Sequence, residues 1–171
     1  MTDLSGLDAK SRILVLGGPG AGKTTLARRI SQQLGLPAYC LDDLGWRNHV
    51  SRTAEERQAD IEHILQQARW VVDGIVYSWG TPLAEGADAM VWLEIPWRVA
   101  AWRIIRRHVL ADLRRNNAHS GYRRLWKFLG WCRSYYTAGP NEARADAPQD
   151  TRFGTLEFLQ RYREKVISIG V

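Results

Sequence analysis

Eight residues near the N-terminus, from Gly17 to Thr24, have the types and the spacing that bind phosphate. They form Gly-Gly-Pro-Gly-Ala-Gly-Lys-Thr, which matches the P-loop pattern GxxxxGK[ST]. Glycine lets successive backbone N–H groups turn toward an anion, and a following helix N-terminus adds partial positive charge. Lys23 would reach the β- and γ-phosphates, the Thr24 hydroxyl would ligate Mg²⁺, and Thr25 would lie near the α-phosphate. The predicted triphosphate-binding residues are Gly17, Gly18, Pro19, Gly20, Ala21, Gly22, Lys23, Thr24 and Thr25.

The segments on both sides of this motif have the pattern that its chemistry needs. Residues 12–16 form a short apolar run, typical of a buried strand in a parallel sheet. Residues 23–34 carry leucine and isoleucine at helical spacing and end before Gly35. The alternative, a glycine-rich loop without a ligand, leaves Lys23 as an unpaired positive charge among N–H groups.

Strands and helices alternate along the rest of the chain. Apolar runs predict strands over 37–41, 70–72, 89–95 and 166–169. Helices are predicted over 53–68, after Pro96, over 122–136 and over 155–165, the first opened by a capping box of Thr53 and Glu56. Residues 116–121 and 138–150 are rich in turn formers and predict loops. The alternation indicates an α/β fold with a parallel sheet.

Two carboxylate sites follow predicted strands. Asp42 and Asp43 come after the second strand, and Asp73 ends the third, next to Gly74. The carboxyl ends of parallel strands face the ligand crevice, where a carboxylate can hold Mg²⁺ or take a proton from an acceptor hydroxyl. The alternatives are a helix N-cap for Asp42 and a turn aspartate bound to its own backbone for Asp73.

Basic residues are concentrated between residues 96 and 135, where Asp112 is the only acid. Arg103 and Arg107 are spaced i,i+4 on the helix after Pro96, so they share a face, whereas Arg106 points elsewhere. Planar guanidinium groups suit bidentate contacts with phosphate and stacking on bases. A solvated helix face is the alternative.

The bulk properties favour one globular domain over residues 1–171. The chain has 45% hydrophobic residues, a net charge of +6 and a pI of about 9.7, which predisposes its surface to phosphate-bearing partners. No apolar run is long enough for a membrane span, and residues 1–10 carry two acids, so we expect neither membrane insertion nor a signal peptide. Two cysteines without metal-ligand spacing favour a reducing, cytoplasmic setting. The chain is expected to be a monomer or a dimer.

Several segments in the right order resemble the adenylate-kinase-like branch of P-loop kinases, and within it the DNA topology modulation (FlaR-like) proteins. The segment Tyr-Cys-Leu-Asp-Asp-Leu-Gly-Trp over 39–46 resembles the family's HLDxLYW, with Cys40 in place of histidine. Trp-Val-Val-Asp-Gly over 70–74 resembles WVxDGNY, with Ile75 in place of asparagine. Leu-Glu-Ile-Pro over 93–96, followed by Arg103 and Arg107, is similar to the family's strand, proline and RxxxR helix.

The resemblance implies a three-layer α/β/α P-loop NTPase fold, with a five-stranded parallel sheet of order 2-3-1-4-5 and a helical lid over about 109–138. It implies that ATP and Mg²⁺ are used to phosphorylate a small acceptor, such as a nucleotide or another hydroxyl compound. Arg103 would stack on the base and Arg107 would reach the phosphates, while Arg133, Arg144 or neither would be a further lid arginine. The resulting catalytic set is Lys23, Asp42, Asp73 and Arg107, with Thr24 and Asp42 at the metal.

Two questions stay open from the sequence. The acceptor's pocket follows no pattern that identifies the acceptor. The rival function is a nucleotide-binding ATPase or regulator that uses its basic helices on nucleic acid. Among the eight tryptophans, Trp70 and Trp92 are expected in the core, and Trp126 and Trp131 are expected to pack between helices rather than stack on a substrate.

Overall fold

A computed structural model describes Leu7 and residues 11–47, 50–75, 77–114, 121–139 and 150–170. Most of the two predicted loops, 116–121 and 138–150, and Arg144 lie outside these residues. No helix in the described part of the chain is long and apolar enough to cross a lipid bilayer.

Five parallel strands form the central sheet, and their order confirms the predicted 2-3-1-4-5. They are β1 (Arg12–Gly17), β2 (Ala38–Cys40), β5 (Trp70–Gly74), β6 (Ala89–Glu94) and β7 (Val166–Gly170), arranged β2-β5-β1-β6-β7. Between β2 and β5 the chain forms a small antiparallel hairpin of β3 (Trp46–Arg47) and β4 (Val50–Ser51). The strand that precedes the P-loop therefore lies at the centre of the sheet.

Alternate side chains of β1 enter two separate cores, which makes the fold three-layered. Leu14 and Leu16 pack with Trp70 and Trp92 on one face of the sheet. Ile13 and Val15 pack on the other face, against α1 (Lys23–Leu34). Because both faces of the sheet are covered at its centre, β1, β5 and β6 are apolar along most of their length, as the sequence indicated. The burial of Trp70 and Trp92, at 0% and 2% exposed, confirms their predicted place in the core.

The predicted helices are present with small changes at their ends. Besides α1, the helices are α2 (Leu41–Gly45), α3 (Ala54–Gln66), α4 (Thr81–Gly86), α5 (Trp97–Leu113), α6 (Tyr122–Thr137) and α7 (Arg152–Gln160). The capping box is confirmed, since Thr53 Oγ1 accepts from the Glu56 N–H and the Glu56 carboxylate accepts from the Thr53 N–H.

The last helix was predicted over 155–165 but begins and ends earlier. The Thr151 hydroxyl accepts from the Gly154 N–H at 3.0 Å and so caps α7 at its start. The chain then tightens into a 3₁₀ turn at Arg163–Lys165 before β7. Helices α2 and α4 and the hairpin were not predicted, because elements of two to six residues are too short to show a periodic pattern.

Candidate functional site

The P-loop connects β1 to α1 and leaves the N-terminus of α1 open to a ligand. Gly20 and Gly22 have φ angles of 78° and 98°, in the left-handed region that glycine adopts without strain. Gly22 is the N-cap of α1 and has no side chain to cover the N–H groups of the first turn. These donors and the helix dipole therefore remain available for an anion, as the motif predicted.

Helix α6 packs directly on the P-loop. The Tyr136 hydroxyl donates to the carbonyl oxygen of Pro19 at 2.8 Å. A Cβ atom at Gly18 would lie 2.5 Å from the Tyr136 hydroxyl oxygen and 2.7 Å from the ring of Tyr135. Gly18 is therefore glycine because two tyrosines occupy the space that a side chain would need. The span of the lid, 109–138, stays a prediction. The last turn of α6, within that span, is joined to the phosphate loop by the hydrogen bond from Tyr136 to Pro19.

Lys23 folds back over the loop, where its Nζ donates to the Gly18 carbonyl at 3.1 Å. Burial lowers the pKa of Lys23, while the charges of Asp42 and Asp73 act in the opposite direction. The ammonium group thus lies between the loop and two carboxylates, and its desolvation is best compensated by a bound anion.

Asp73 is the direct partner of the P-loop threonine. The Thr24 hydroxyl donates to Asp73 Oδ2 at 2.7 Å, and Asp73 is only 4% exposed. Strand β5 pairs with β1 so that Asp73 stands opposite Val15, close to where the loop begins. Burial raises the pKa of Asp73, while the Thr24 hydrogen bond and the Lys23 charge lower it. Asp73 therefore does not act only as a turn residue bound to its own backbone.

Asp42 lies in the first turn of α2 and is exposed. The N-cap of α2 is Cys40, so Asp42 is not the helix cap that the sequence left as an alternative. Gly74 allows this arrangement, because a Cβ there would lie 2.5 Å from Leu41 Cβ in the same helix. The glycine after Asp73 thus makes room for α2, and α2 brings Asp42 to the end of the sheet that carries Asp73.

The two arginines on the shared face of α5 both reach the loop region. Arg103 Nη1 donates to the carbonyl oxygen of Ala21 at 3.0 Å. Arg107, one turn later, lines the same space with its guanidinium exposed. Arg106 does not line this space, and its guanidinium carbon lies 5.4 Å from the ring centroid of Trp102.

One cleft of about 440 Å³ collects the predicted residues from five elements. Ten of the predicted site residues line it, and seven of these follow the glycine-rich loop: Lys23, Thr24, Thr25, Asp42, Asp73, Arg103 and Arg107. Pro19, Gly20 and Gly22 contribute the loop backbone, whereas Ala21 is buried beneath it. Predicted site residues between Pro19 and Arg107, most of them far apart in the sequence, therefore converge on one space at the carboxyl end of the sheet.

The sequence analysis missed five lining residues, which are Ile75, Tyr77, Ile104, Phe128 and Trp131. Phe128 and Trp131 on α6 stack on each other, with ring centroids 5.8 Å apart. The prediction that Trp131 packs between helices was wrong, since it is 43% exposed and borders the cleft. It was also wrong for Trp126, which is 68% exposed, because α6 turns this side away from its neighbours.

The oxygen donors in the cleft fit Mg²⁺. No three His, Cys, Asp or Glu side chains come together as a metal cluster within the described ranges. Mg²⁺ does not require such a cluster, because it commonly takes one or two protein oxygens together with substrate phosphates and water. The Thr24 hydroxyl and the Asp73 carboxylate would supply two hard oxygen ligands at the phosphate loop, and the Asp42 carboxylate would add a third oxygen donor in the same cleft.

This sheet order, with a glycine-rich loop between the central strand and a helix N-terminus, defines the three-layer α/β/α fold of P-loop NTPases. The family described as "ATPase family associated with various cellular activities (AAA)" matches residues 13–76, a little over a third of the chain. An adenylate kinase of Kocuria rhizophila is 45% identical over 49 residues, which are 29% of this chain and 26% of that enzyme. An adenylate kinase of Thermotoga neapolitana is 34% identical over 64 residues, 37% of this chain and 29% of that enzyme. The chain thus spans less than a third of these relatives.

Two solved structures align with about nine-tenths of this chain. A shikimate kinase from Bacteroides thetaiotaomicron aligns over 91% of this chain and 98% of its own, with 19% identity and a TM-score of 0.49. A gluconokinase from Sinorhizobium meliloti aligns over 90% of this chain and 96% of its own, with 19% identity and a TM-score of 0.47.

Proposed function

We propose that this protein is an ATP-dependent phosphotransferase of the adenylate-kinase-like group that transfers the γ-phosphate of ATP to a small hydroxyl compound. The observation that carries this proposal is the cleft itself. It holds a phosphate loop with its Thr24–Asp73 pair at one end and a further carboxylate, Asp42, in the same space. The similarity to adenylate kinases supports this function over part of the chain. Within the adenylate-kinase-like group, we propose that the protein is related to the FlaR-like proteins.

The residues of the cleft would divide the work between binding and proton transfer. Lys23 and the loop N–H groups hold the β- and γ-phosphates, and Arg107 neutralises charge that develops on the transferring group. Arg103 already contacts the loop backbone and would border the nucleotide. When bound, Mg²⁺ would neutralise phosphate charge beside Thr24 and Asp73.

Asp42 would accept the proton of the acceptor hydroxyl. The acceptor oxygen forms a bond to the γ-phosphorus, the bond to the β,γ-bridging oxygen breaks, and ADP leaves. Asp42 suits this role because it is exposed in the cleft and has no hydrogen bond to the P-loop threonine, which Asp73 occupies. A base must be within reach of the acceptor before its pKa matters.

The proposal is tested by measuring ATP turnover with a panel of small hydroxyl metabolites and nucleotides. Turnover that rises with one member, together with a phosphorylated product, supports the kinase. ATP turnover that responds to no member of the panel but rises with DNA would contradict the proposed kinase function and support the rival function.

One observation favours the rival, an ATPase or regulator on nucleic acid. Trp102, Tyr122 and Trp126 on α5 and α6 are 60%, 69% and 68% exposed, beside several arginines. Exposed aromatics among basic groups suit stacking on single-stranded bases. DNA retention that falls with salt and is lost when Arg123 and Arg124 are neutralised would support this function.

A further inference from the structure

One wall of the cleft carries no cationic side chain among the described residues. This wall, which we call the acceptor wall, consists of the lining residues outside the P-loop, α1, α5 and α6, namely Asp42, Asp73, Ile75 and Tyr77. Two of the four are carboxylates, and the other two offer aliphatic and aromatic surface. An acceptor that approaches the γ-phosphate from this side meets negative charge and apolar groups.

The cations of the cleft belong to its nucleotide side. Lys23 lies in the loop and bonds to Gly18, and Arg103 bonds to Ala21. Arg107 lies one helical turn after Arg103 on α5 and lines the same cleft. All three groups thus line the cleft from α1 or α5 rather than from the acceptor wall.

Two arginines near the acceptor wall, Arg52 and Arg57, are already engaged. Arg57 Nη1 donates to the Arg52 carbonyl at 2.8 Å, and the guanidinium lies 5.5 Å from the ring centroid of Trp79. Arg52 forms ion pairs with Asp60 and Glu56. Neither arginine lines the cleft.

Tyr77 gives the acceptor wall a rigid aromatic surface in acidic surroundings. Its ring stacks on Trp79 with centroids 5.5 Å apart and an interplanar angle of 9°, and Trp46 approaches it edge-on at 5.3 Å. Burial raises the pKa of Tyr77, and the carboxylates of Asp42 and Asp150 raise it further. The charges that act on this side chain are thus negative.

We propose that the phosphate acceptor is a hydroxyl compound without negative charge, neutral or cationic, which lies with an apolar or flat face against Tyr77. This inference rests on the proposed kinase function. An anionic acceptor would bring its charge beside Asp42 and Asp73 without a described cation in the wall to compensate it, which like-charge repulsion and desolvation both disfavour. A neutral hydroxyl can donate to Asp42 at no such penalty, and a cationic one gains from both carboxylates.

Pairs of acceptors that differ in one anionic group test the charge. The pairs are a nucleoside and its 5′-monophosphate, a sugar and its sugar acid, and an amino sugar and the corresponding uronic acid, each with γ-labelled ATP. We expect the neutral or cationic member to be phosphorylated with a kcat/KM at least roughly tenfold above that of its anionic partner. Preference for an anionic member would overturn the inference while leaving the kinase intact. ATP hydrolysis that responds to none of them would overturn both.

Two variants test the contact with Tyr77. Tyr77→Ala should raise the KM for the accepted compound roughly three- to tenfold, the range expected for a lost aromatic contact, and leave the KM for ATP unchanged. Tyr77→Phe keeps the ring and should show a smaller rise in that KM than Tyr77→Ala. Phe153→Ala, which removes a partly exposed ring of α7 outside the cleft, is the control and should behave as the parent. A rise of both KM values by the same factor in Tyr77→Ala would show that Tyr77 only shapes the cleft and would overturn the contact.

Discussion

The hydroxyl of Thr24 donates a hydrogen bond of 2.7 Å to Oδ2 of Asp73, which joins the phosphate loop to the neighbouring strand of the sheet. Two oxygen ligands are thereby held together at the start of α1 before any ion binds. The carboxylate is buried, so its charge is unfavourable unless a cation or hydrogen bonds compensate it. If Mg²⁺ binds with ATP at this pair, as proposed, the pair would connect the stability of the free protein to that binding.

Replacing Asp73 by Asn should affect Mg²⁺ binding with ATP much more than the stability of the ligand-free protein. Because burial disfavours the charged carboxylate, the free energy of unfolding of the ligand-free protein should change by no more than about 1 kcal/mol. The additional thermal stabilisation that Mg²⁺ gives in the presence of ATP should disappear. Thermal unfolding with ATP, in Mg²⁺ or in EDTA, measures this. Asp88→Asn is the control, since Asp88 accepts from the Ser11 and Arg12 N–H groups outside the cleft. A full Mg²⁺ effect in Asp73→Asn would contradict the metal assignment.

Lys23→Ala should abolish the thermal stabilisation by Mg-ATP. The variant removes the cation that reaches the phosphates and leaves the loop N–H groups without it. The shift in Tm on adding Mg-ATP should fall to near zero. Lys165→Ala is the matched control, because Lys165 bonds to the Glu85 carbonyl outside the cleft and its loss should leave the ligand-induced shift intact. An unchanged shift in Lys23→Ala would remove the P-loop assignment.

Asp42→Asn should lower turnover by about 10²- to 10⁴-fold, the range for loss of a general base. Binding of ATP, measured by calorimetry, should change far less, because the P-loop remains complete. The adjacent Asp43 offers a close control, since it is also an exposed aspartate of α2 but does not line the cleft. If Asp42→Asn and Asp43→Asn retain similar activity, Asp42 has no catalytic role.

Gly18→Ala should destabilise the protein and weaken ATP binding together. The added methyl group would lie 2.5 Å from the Tyr136 hydroxyl oxygen, so either the loop or α6 must shift. Tyr136→Phe removes only the hydrogen bond to Pro19 and should lower the free energy of unfolding by about 0.5–1.5 kcal/mol.

Combining Gly18→Ala with Tyr136→Phe distinguishes the origin of this effect. The hydroxyl oxygen at 2.5 Å is absent in the double variant, whereas the ring carbon at 2.6 Å remains, so a small part of the lost stability should return. Denaturant unfolding measures the difference. Tyr135→Phe, which loses a bond to Thr155 instead, should not rescue Gly18→Ala. Additive losses in the double variant would mean that the tyrosine and the loop are not coupled.

Cys132 should resist alkylation in the folded protein. It is completely buried, and burial raises its pKa to about 12. In the unfolded chain the thiol ionises near its ordinary value of 9.0, so its stabilising contribution is present below pH 9 and is lost as the pH rises toward 12. Peptide mapping after iodoacetamide treatment between pH 7 and 9 should show little modification of Cys132 until denaturant is added. Rapid native modification would show that the α5–α6 contact opens.

Local sequence patterns were sufficient to predict most of the fold. The apolar runs of β1, β5 and β6 are visible because strands buried on both faces cannot alternate with polar residues. The limits of α1 follow from Gly22 and Gly35, and the start of α3 follows from the Thr53–Glu56 capping box. Helix α2 and the β3–β4 hairpin were missed, since their short spans depend on contacts with the rest of the domain.

The candidate site was predictable as a set of residues but not as an arrangement. Strand order brings Asp73 next to the P-loop, where it accepts a hydrogen bond from Thr24, a contact that the sequence analysis did not predict. The assignment of Asp42 as a metal ligand and the roles of Arg103 and Arg107 stay predictions. Phe128 and Trp131 carried no signal, because facing a cleft is a property of the packing of α6 on α5 and not of residue spacing.

The P-loop was determined by the sequence alone, because phosphate binding there depends on consecutive backbone N–H groups and on glycines that make their geometry possible. Only the tertiary structure decided what surrounds it. The pairing of β5 with β1 brings Asp73 into hydrogen-bond contact with Thr24, 49 residues away in the sequence. The packing of α6 brings Tyr136 into hydrogen-bond contact with Pro19, 117 residues away. The same packing left an acceptor wall of carboxylates and a tyrosine, whose charge balance depends on which side chains meet in space rather than on any local pattern.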